Sequence, residues 1–300
     1  MKEVVLKTNN LTKQYNKNVV LDNVNITIKK GDIYGLIGRN GAGKTTTFRM
    51  IMGLLDITEG KITLNDKKID YSVTDEIGFL TEERSLLPSK TVLEQAIYYG
   101  VLKGLTEKEV EKRLDKYLEE FNITEYKNKK IKELSKGNQQ KIQFMTAVIH
   151  NPELVVLDEP FSGLDPVNTE LLKNIIIDLV KEEKYVIMSA HQMSTIEEFC
   201  SDILILNKGK TVLQGNLREI KDQYPANRVQ IETNESITEN IAKLGLEIEN
   251  EKNNEYTIKI DNEEQAHNLL NELVKDRKTI NKFEITKPTL NDIFIEKVGE

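Results

Sequence analysis

The residues best equipped for chemistry run from Gly38 to Thr45, Gly-Arg-Asn-Gly-Ala-Gly-Lys-Thr, and fit the spacing G-x-x-x-x-G-K-[ST]. The glycines Gly38, Gly41 and Gly43 let successive backbone N–H groups, from Arg39 and Asn40 through Ala42 to Thr46, converge on a chain of phosphates at a helix N-terminus. Lys44 then supplies a point charge to the β- and γ-phosphates, and the Thr45 hydroxyl offers a place on Mg²⁺. A chance glycine-rich turn is the competing reading. The apolar run Ile33–Ile37 before the loop and the helical pattern after it weigh against that. The motif predicts a nucleoside triphosphate and does not by itself separate ATPases, GTPases and kinases.

A second set of groups closes another apolar run. Leu154-Val155-Val156-Leu157 leads into Asp158-Glu159-Pro160, which places two carboxylates at the end of a buried strand. Beside a phosphate loop, Asp158 suits Mg²⁺, through water, and Glu159 suits a base that orients the attacking water. Two adjacent acids would otherwise read as an ordinary solvated loop. A third feature, Leu134-Ser135-Lys136-Gly137-Asn138-Gln139-Gln140, opens a helix about twenty residues upstream of Asp158. Ser135 can cap that helix, Gly137 leaves room for a close ligand, and the helix N-terminus presents positive potential. With one phosphate loop already present, a second anion-binding helix end implies two copies that sandwich the nucleotide between them.

These segments together resemble the ABC (ATP-binding cassette) ATPases, whose signature is Leu-Ser-Gly-Gly-Gln. The resemblance covers roughly residues 3–220 and implies ATP as substrate, Mg²⁺ as cofactor and a head-to-tail dimer. It also implies roles for single residues. Tyr15 matches the aromatic that stacks on adenine. Asp165, in Ser162-Gly163-Leu164-Asp165-Pro166, matches the loop that reaches the opposite subunit's phosphate loop, and His191 matches the switch histidine at the γ-phosphate. Lys136 and Asn138 stand where the signature has glycine and glutamine. Glu82, in Thr81-Glu82-Glu83-Arg84, stands where the family's γ-phosphate-sensing loop has glutamine. A carboxylate there can bind Mg²⁺ or its water but cannot donate a hydrogen bond. Similar Glu-Glu-Arg loops, together with a C-terminal stretch ending Pro288-Thr289-Leu290-Asn291-Asp292-Ile293-Phe294, resemble exporter ATPases of the ABC-2 or sodium-efflux, NatA-like group.

The elements that must position these groups follow the periodicity. Short strands are expected at Val4–Leu6 and Val24–Ile28, and a helix at about Thr45–Leu55. A strand is expected at Gly60–Leu64. The middle, from about Thr91 to Ile149, reads as helical, with a capping box at Thr106–Glu109 and an apolar face of Val110, Leu114, Tyr117, Leu118 and Phe121. Gln139–Ile149 and Glu170–Glu182 read as helices, Val186–Met188 as a buried strand and Ile203–Leu213 as a hairpin. The fold class is therefore α/β, a P-loop NTPase of ABC type with a mixed sheet core and a helical subdomain over about residues 85–150. Tyr224-Pro225 marks a boundary: residues 1–222 form the cassette, and residues 226–300 a small α+β accessory domain of βαββαβ type with a final helix from about Thr289.

Composition bounds the partners. The net charge is −7, and from Ala226 onward 10 Lys and Arg face 16 Asp and Glu, a net of −6. No basic footprint for nucleic acid exists, so none is expected as a partner. No apolar run reaches the ~18–20 residues of a membrane span, and the first residues carry no signal-peptide pattern. The expected place is the cytoplasm, peripheral on the inner face of the membrane through an integral permease subunit. The one cysteine, Cys200, reads as a small hydrophobe, and His150 and His267 read as surface residues. The simplest assembly is a homodimer driving a separate permease, for export. The alternatives are a soluble ABC ATPase acting on ribosomes or DNA, and a regulatory module without turnover.

Overall fold

The computed structural model describes residues 4–190 and 192–298. The chain divides into two compact units, Met1–Gly215 and Asn216–Glu300. In the first, β1 (Val4–Tyr15) and β2 (Asn18–Val24) form a hairpin, followed by β3 (Thr27–Lys29) and β4 (Ile33–Gly38), which is buried along its whole length. Next come α1 (Lys44–Ile51), β5 (Glu59–Leu64), β6 (Lys67–Lys68) and β7 (Ile77–Leu80). Three helices follow, α2 (Val92–Leu102), α3 (Glu107–Glu120) and α4 (Lys136–Val148). The unit ends with β8 (Leu154–Leu157), α5 (Pro166–Lys181), β9 (Tyr185–Ser189), α6 (Met193–Phe199), β10 (Asp202–Asn207) and β11 (Lys210–Asn216).

The strands join in the order β6-β5-β1-β2-β11-β10-β4-β9-β8-β7, with β3 on β1. From β10 to β7 every pair is parallel, whereas the β1 pairings are antiparallel. This is the mixed α/β core expected from the unbroken apolar runs, since parallel strands are covered on both faces. The carboxyl ends of β4, β8 and β9 lie side by side, with Leu36 opposite Ser189 and Leu157 opposite Met188. Loops from these ends converge at one edge, where open α/β sheets hold ligands.

Several boundaries differ from the expected ones for local reasons. β1 runs on to Tyr15 because its polar residues are satisfied: the Thr8 hydroxyl donates to Val24 O (3.1 Å) and Lys13 Nζ to Asp56 O (2.6 Å). The stretch Val24–Ile28 is broken rather than continuous, because the Asn25 side chain turns back to accept from Asn10 N at 2.8 Å. Helix α4 starts at Lys136, ahead of Gln139, because Ser135 Oγ caps it by accepting from Asn138 N (3.2 Å). Helix α5 starts at Pro166, ahead of Glu170, because Asp165 caps it and proline at the first position suits a helix start. The box at Thr106 is present, and Val110, Leu114, Leu118 and Phe121 are buried beneath α3. His150 is not a surface residue. It is mostly buried with Nε2 3.2 Å from Ile77 O, and burial pushes its pKa down to about 4. Cys200 is buried, and burial raises its thiol far above the usual range.

The second unit contains α7 (Leu217–Asp222), β12 (Arg228–Thr233), α8 (Thr238–Lys243), β13 (Glu247–Lys252), β14 (Glu255–Lys259), α9 (Glu263–Lys275), β15 (Ile280–Thr286) and α10 (Leu290–Val298). Its four strands are antiparallel in the order β13-β14-β12-β15, the split βαβ arrangement of ferredoxin-like domains. Val229, Ile231, Tyr256, Ile258, Ala266, Leu269 and Leu273 form its core, so the strand alternation and the helical face agree. Arg228 binds Glu249 and, at 2.7 Å, Asp292 at the head of α10. The unit begins at Asn216, eight residues ahead of Tyr224, and α7 belongs to it: Lys287 before α10 pairs with Asp222 at 2.8 Å.

Candidate nucleotide site

The site is built where β4 gives way to α1. Gly43 caps α1 with φ +110°, a conformation that side chains rarely adopt, so glycine is required there to aim the first N–H groups of the helix outward. Gly38 is required for a different reason. A Cβ on it would sit 2.7 Å from both Ala42 Cβ and Leu206 O, so the loop could not fold back over the strand end. The turn is closed by Ala42 N donating to Arg39 O and Gly209 N donating to Ala42 O, each at 3.0 Å. Arg39, Asn40 and Gly41 are exposed, while Lys44 is buried and its Nζ donates to Gly38 O at 2.7 Å. An ammonium held by the loop's own carbonyl is positioned to transfer to an anion that enters the loop. Thr46, the next helical residue, is half-buried.

Across the sheet edge, a chain of hydrogen bonds joins three strand ends. Thr45 Oγ1 donates to Asp158 Oδ2 (3.2 Å), Ser189 Oγ donates to Asp158 Oδ1 (2.6 Å), and Glu159 N donates to Ser189 Oγ (3.0 Å). Asp158, Glu159 and Ser189 are all buried. Glu159 adopts φ +52°, a region that costs a non-glycine residue on the order of 1 kcal/mol or more. Its N–H anchor to Ser189 offsets that strain and fixes where its side chain leaves the backbone. Sequence reading did not single out Ser189. Its signal was present: it is the polar residue that ends the buried run of β9, as Asp158 ends that of β8.

The donor set suits Mg²⁺. Thr45 hydroxyl and Asp158 carboxylate are hard oxygen groups in direct contact, and Mg²⁺ characteristically takes one or two protein oxygens together with phosphate and water. No cluster of three or more His, Cys, Asp or Glu that could hold a metal occurs among the described residues.

A second cluster forms around the head of α4. Ser135 is exposed, and Gly137 packs so that a Cβ there would lie 3.5 Å from Gly163 O and 3.6 Å from Leu164 Cδ2. Asp165 accepts from Asn168 N (2.9 Å) and from the Asn168 amide, and these bonds hold its carboxyl below the usual range. Asp165 is therefore a helix cap in this chain, whatever it meets outside it. Two glutamines of α4 join this cluster to the strand ends. Gln140 Nε2 donates to Pro160 O at 3.0 Å, and Gln143 Nε2 donates to Thr81 O, Thr81 Oγ1 and Glu83 O at 2.9, 2.9 and 3.1 Å. Gln95 of α2 accepts from Leu87 N at 3.0 Å. The loop after β7 is thus gripped at both ends by buried glutamines, while Glu82 at its tip is exposed. These glutamines also escaped the sequence reading, and polar residues inside a wholly buried stretch of α4 were the available sign. Tyr15 is exposed at the end of β1 with Lys13 Nζ 4.8 Å from its ring centre. His191 lies outside the described residues.

A phosphate loop between a buried strand and a helix, with an acid at the end of the parallel strand one place beyond its neighbour, defines a P-loop NTPase. Residues 21–162 match the ABC transporter family model, and residues 215–298 match the C-terminal domain of DrrA1-3-like ATP-binding proteins. An ABC transporter ATP-binding protein of Bacillus subtilis (strain 168), YhaQ, of uncharacterised function, is 44% identical over 98% of this chain and 99% of its own length. The linearmycin resistance ATP-binding protein LnrL of the same organism is 29% identical over 98% of each chain. Among solved structures, a dimeric post-hydrolysis state of the cassette MJ0796 bound to ADP and Pi superposes with a TM-score of 0.65 at 27% identity, covering 71% of this chain and 99% of that one. The chain belongs to the family of ABC transporter ATP-binding proteins.

Proposed function

We propose that this chain is the ATP-hydrolysing subunit of an exporter, pairing head to tail with a second copy around ATP and driving a separate integral membrane permease. The observation that carries the reading is the chain of contacts Thr45–Asp158–Ser189–Glu159 beside the phosphate loop. It brings the phosphate-binding helix, a Mg²⁺-competent acid and a second acid anchored by its backbone to one sheet edge.

In this reading the N–H groups from Arg39 to Thr46 cradle the phosphates, and Lys44 leaves Gly38 O for the β- and γ-phosphates. Thr45 and Asp158 would hold Mg²⁺, with Glu82 an added oxygen toward the ion or its water, and a bound ion would supply positive charge against the phosphates. Glu159 accepts the proton of the attacking water, and His191 touches the γ-phosphate. Tyr15 stacks on adenine. Ser135 and Gly137 of the second copy close the site through the head of α4, and Asp165 reaches the opposite phosphate loop. The dimeric MJ0796 cassette with ADP and Pi supports this pairing.

The unit up to Gly215 serves as the cassette and the unit from Asn216 onward, α7 included, as an accessory domain. The chain works from the cytoplasm, attached to the membrane by its permease; no helix among the described residues is long and apolar enough to cross a membrane. Leu87 of the glutamine-gripped loop and Tyr98, Val101 and Leu102 of α2, the helix that bonds that loop through Gln95 and Tyr99, are exposed apolar residues that a membrane partner would cover. Export is supported by the NatA-like Glu82-Glu83-Arg84 loop, the DrrA-like C-terminal domain and the resistance role named for LnrL.

The test is recovery of partners by tagged Glu159→Gln chain with ATP, from detergent-solubilised membranes and from cytosol in parallel. A multi-span partner from membranes is expected. Ribosomal or DNA-repair proteins from cytosol, with no membrane partner, would overturn the transport reading.

A further inference from the structure

The sheet of the second unit has two edge strands, β13 and β15, and they are not alike. Strand β13 carries Glu247, Glu249 and Glu251 and has an irregularity between Ile248 and Asn250. Acidic residues in alternation and a bulge are the means by which edges are kept from pairing. Strand β15, Ile280-Asn281-Lys282-Phe283-Glu284-Ile285-Thr286, is regular from Lys282 to Thr286, its register shift lying between Ile280 and Lys282, and its two charges there, Lys282 and Glu284, are of opposite sign rather than all acidic. Thr286 O accepts from Asn227 N at the start of β12, so the backbone groups of Thr286, Glu284 and Lys282 address β12. By the strand alternation, those of Phe283 and Ile285 address the open edge. On the inner face, Ile280, Phe283 and Ile285 are only partly covered by the core they pack against. On the outer face, Lys282 and Glu284 lie 2.7 Å apart and half exposed.

We propose that β15 pairs antiparallel with β15 of a second copy of this chain, about a two-fold axis through Phe283, joining the two four-stranded sheets into one. The charge order of the strand favours this occupant and this register. With Phe283 opposite the partner's Phe283, Lys282 stands opposite the partner's Glu284, and Glu284 opposite the partner's Lys282. These two ion pairs are copies of one contact related by the two-fold, as a self-complementary surface requires. The same operation brings two half-covered phenylalanines together on the inner face, where aromatic cross-strand pairs stabilise. Applied to β13 it would set glutamates against glutamates.

This contact uses no residue of the nucleotide site and does not depend on ATP. It goes beyond the head-to-tail pairing of cassettes: a strand contact in the second unit holds two copies together when no nucleotide bridges them, and raises the effective concentration at which the cassettes meet again.

The experiment is sedimentation equilibrium of the full chain without nucleotide, for wild type, Lys282→Glu, Glu284→Lys and the double reversal Lys282→Glu/Glu284→Lys. Circular dichroism confirms that each is folded. Wild type is expected to be in monomer–dimer equilibrium, each single reversal to weaken it roughly tenfold or more because two pairs become repulsive, and the double reversal to restore it. Register is read by oxidising a mixture of Lys282→Cys and Glu284→Cys chains carrying different tags, Cys200 being buried. Disulfide-linked heterodimer is expected several-fold above what either chain gives alone. A monomeric wild type, a dimer indifferent to the reversals, or cross-linking no better in the mixture would each overturn the proposal.

Discussion

Ser189→Ala removes one oxygen and leaves every group thought to touch the nucleotide in place. That oxygen donates to Asp158 Oδ1 at 2.6 Å and accepts from Glu159 N at 3.0 Å, and Ser189 is completely buried. A hydrogen bond to a charged group contributes about 1.5–3 kcal/mol, and a buried N–H left without its partner costs about 1–3 kcal/mol, so the substitution should cost roughly 3 kcal/mol in stability if no water enters. The functional loss follows a different route. Glu159 sits at φ +52°, and without the anchor its backbone can relax and carry the carboxylate away from the sheet edge. Loss of a supporting partner of this kind lowers metal affinity or activity by about 10–100-fold. Steady-state ATP hydrolysis, titrated with Mg²⁺ at a temperature where melting curves show the variant folded, should give kcat reduced by that factor and a higher Mg²⁺ requirement. A folded Ser189→Ala chain with kcat within about twofold of wild type and an unchanged Mg²⁺ midpoint would refute the reasoning, because the second-sphere effect expected is at least tenfold.

Three further outcomes follow from the same geometry. Gly38→Ala, whose Cβ meets Ala42 and the Leu206 carbonyl at 2.7 Å, should weaken nucleotide binding at least about tenfold in a fluorescent-ATP titration, since both neighbours are too constrained to yield. Gln143→Leu removes three hydrogen bonds to Thr81 and Glu83, and hydrogen exchange in residues 81–87 should accelerate at least about tenfold while α1 is unchanged. His150 is held neutral by burial with a pKa of about 4 against an ordinary 6.5, so the unfolded chain binds the extra proton first as the pH falls. Its contribution is present above pH 6.5 and is lost as the pH drops toward 4, on the order of 3 kcal/mol at the extreme. His150→Leu should flatten the pH dependence of denaturant stability in that window and leave it unaltered above pH 7.

What could be read from the chain and what could not divides along a physical line. The loop at Gly38–Thr45, the acids after Leu157 and the cap at Ser135 are local: each is a run of residues whose backbone and side chains meet within a few positions. The βαββαβ order of the second unit was legible for the same reason, since alternation and helical faces such as Val229, Ile231 and Ala266, Leu269, Leu273 are short-range patterns. The hairpin of β1 and β2 was not, because Thr8 and Lys13 are polar residues whose burial depends on partners 16 and 43 positions away. Ser189 and Gln143 escaped for that reason too. Their partners lie 30–31 and 60–62 positions off, and only the parallel pairing of β8 with β9 and the packing of α4 against β7 bring them together.

The central claim is that Glu159 is the base of an ATP-hydrolysing site. The direct measurement is phosphate release from ATP by the purified chain with Mg²⁺, wild type against Glu159→Gln, with ATP binding measured on the same samples. Glutamine keeps the size and the backbone of Glu159 but cannot take a proton, so binding should persist while turnover falls by about 10²–10⁴-fold. A Glu159→Gln chain that binds ATP and hydrolyses it as fast as wild type would contradict the account at its core.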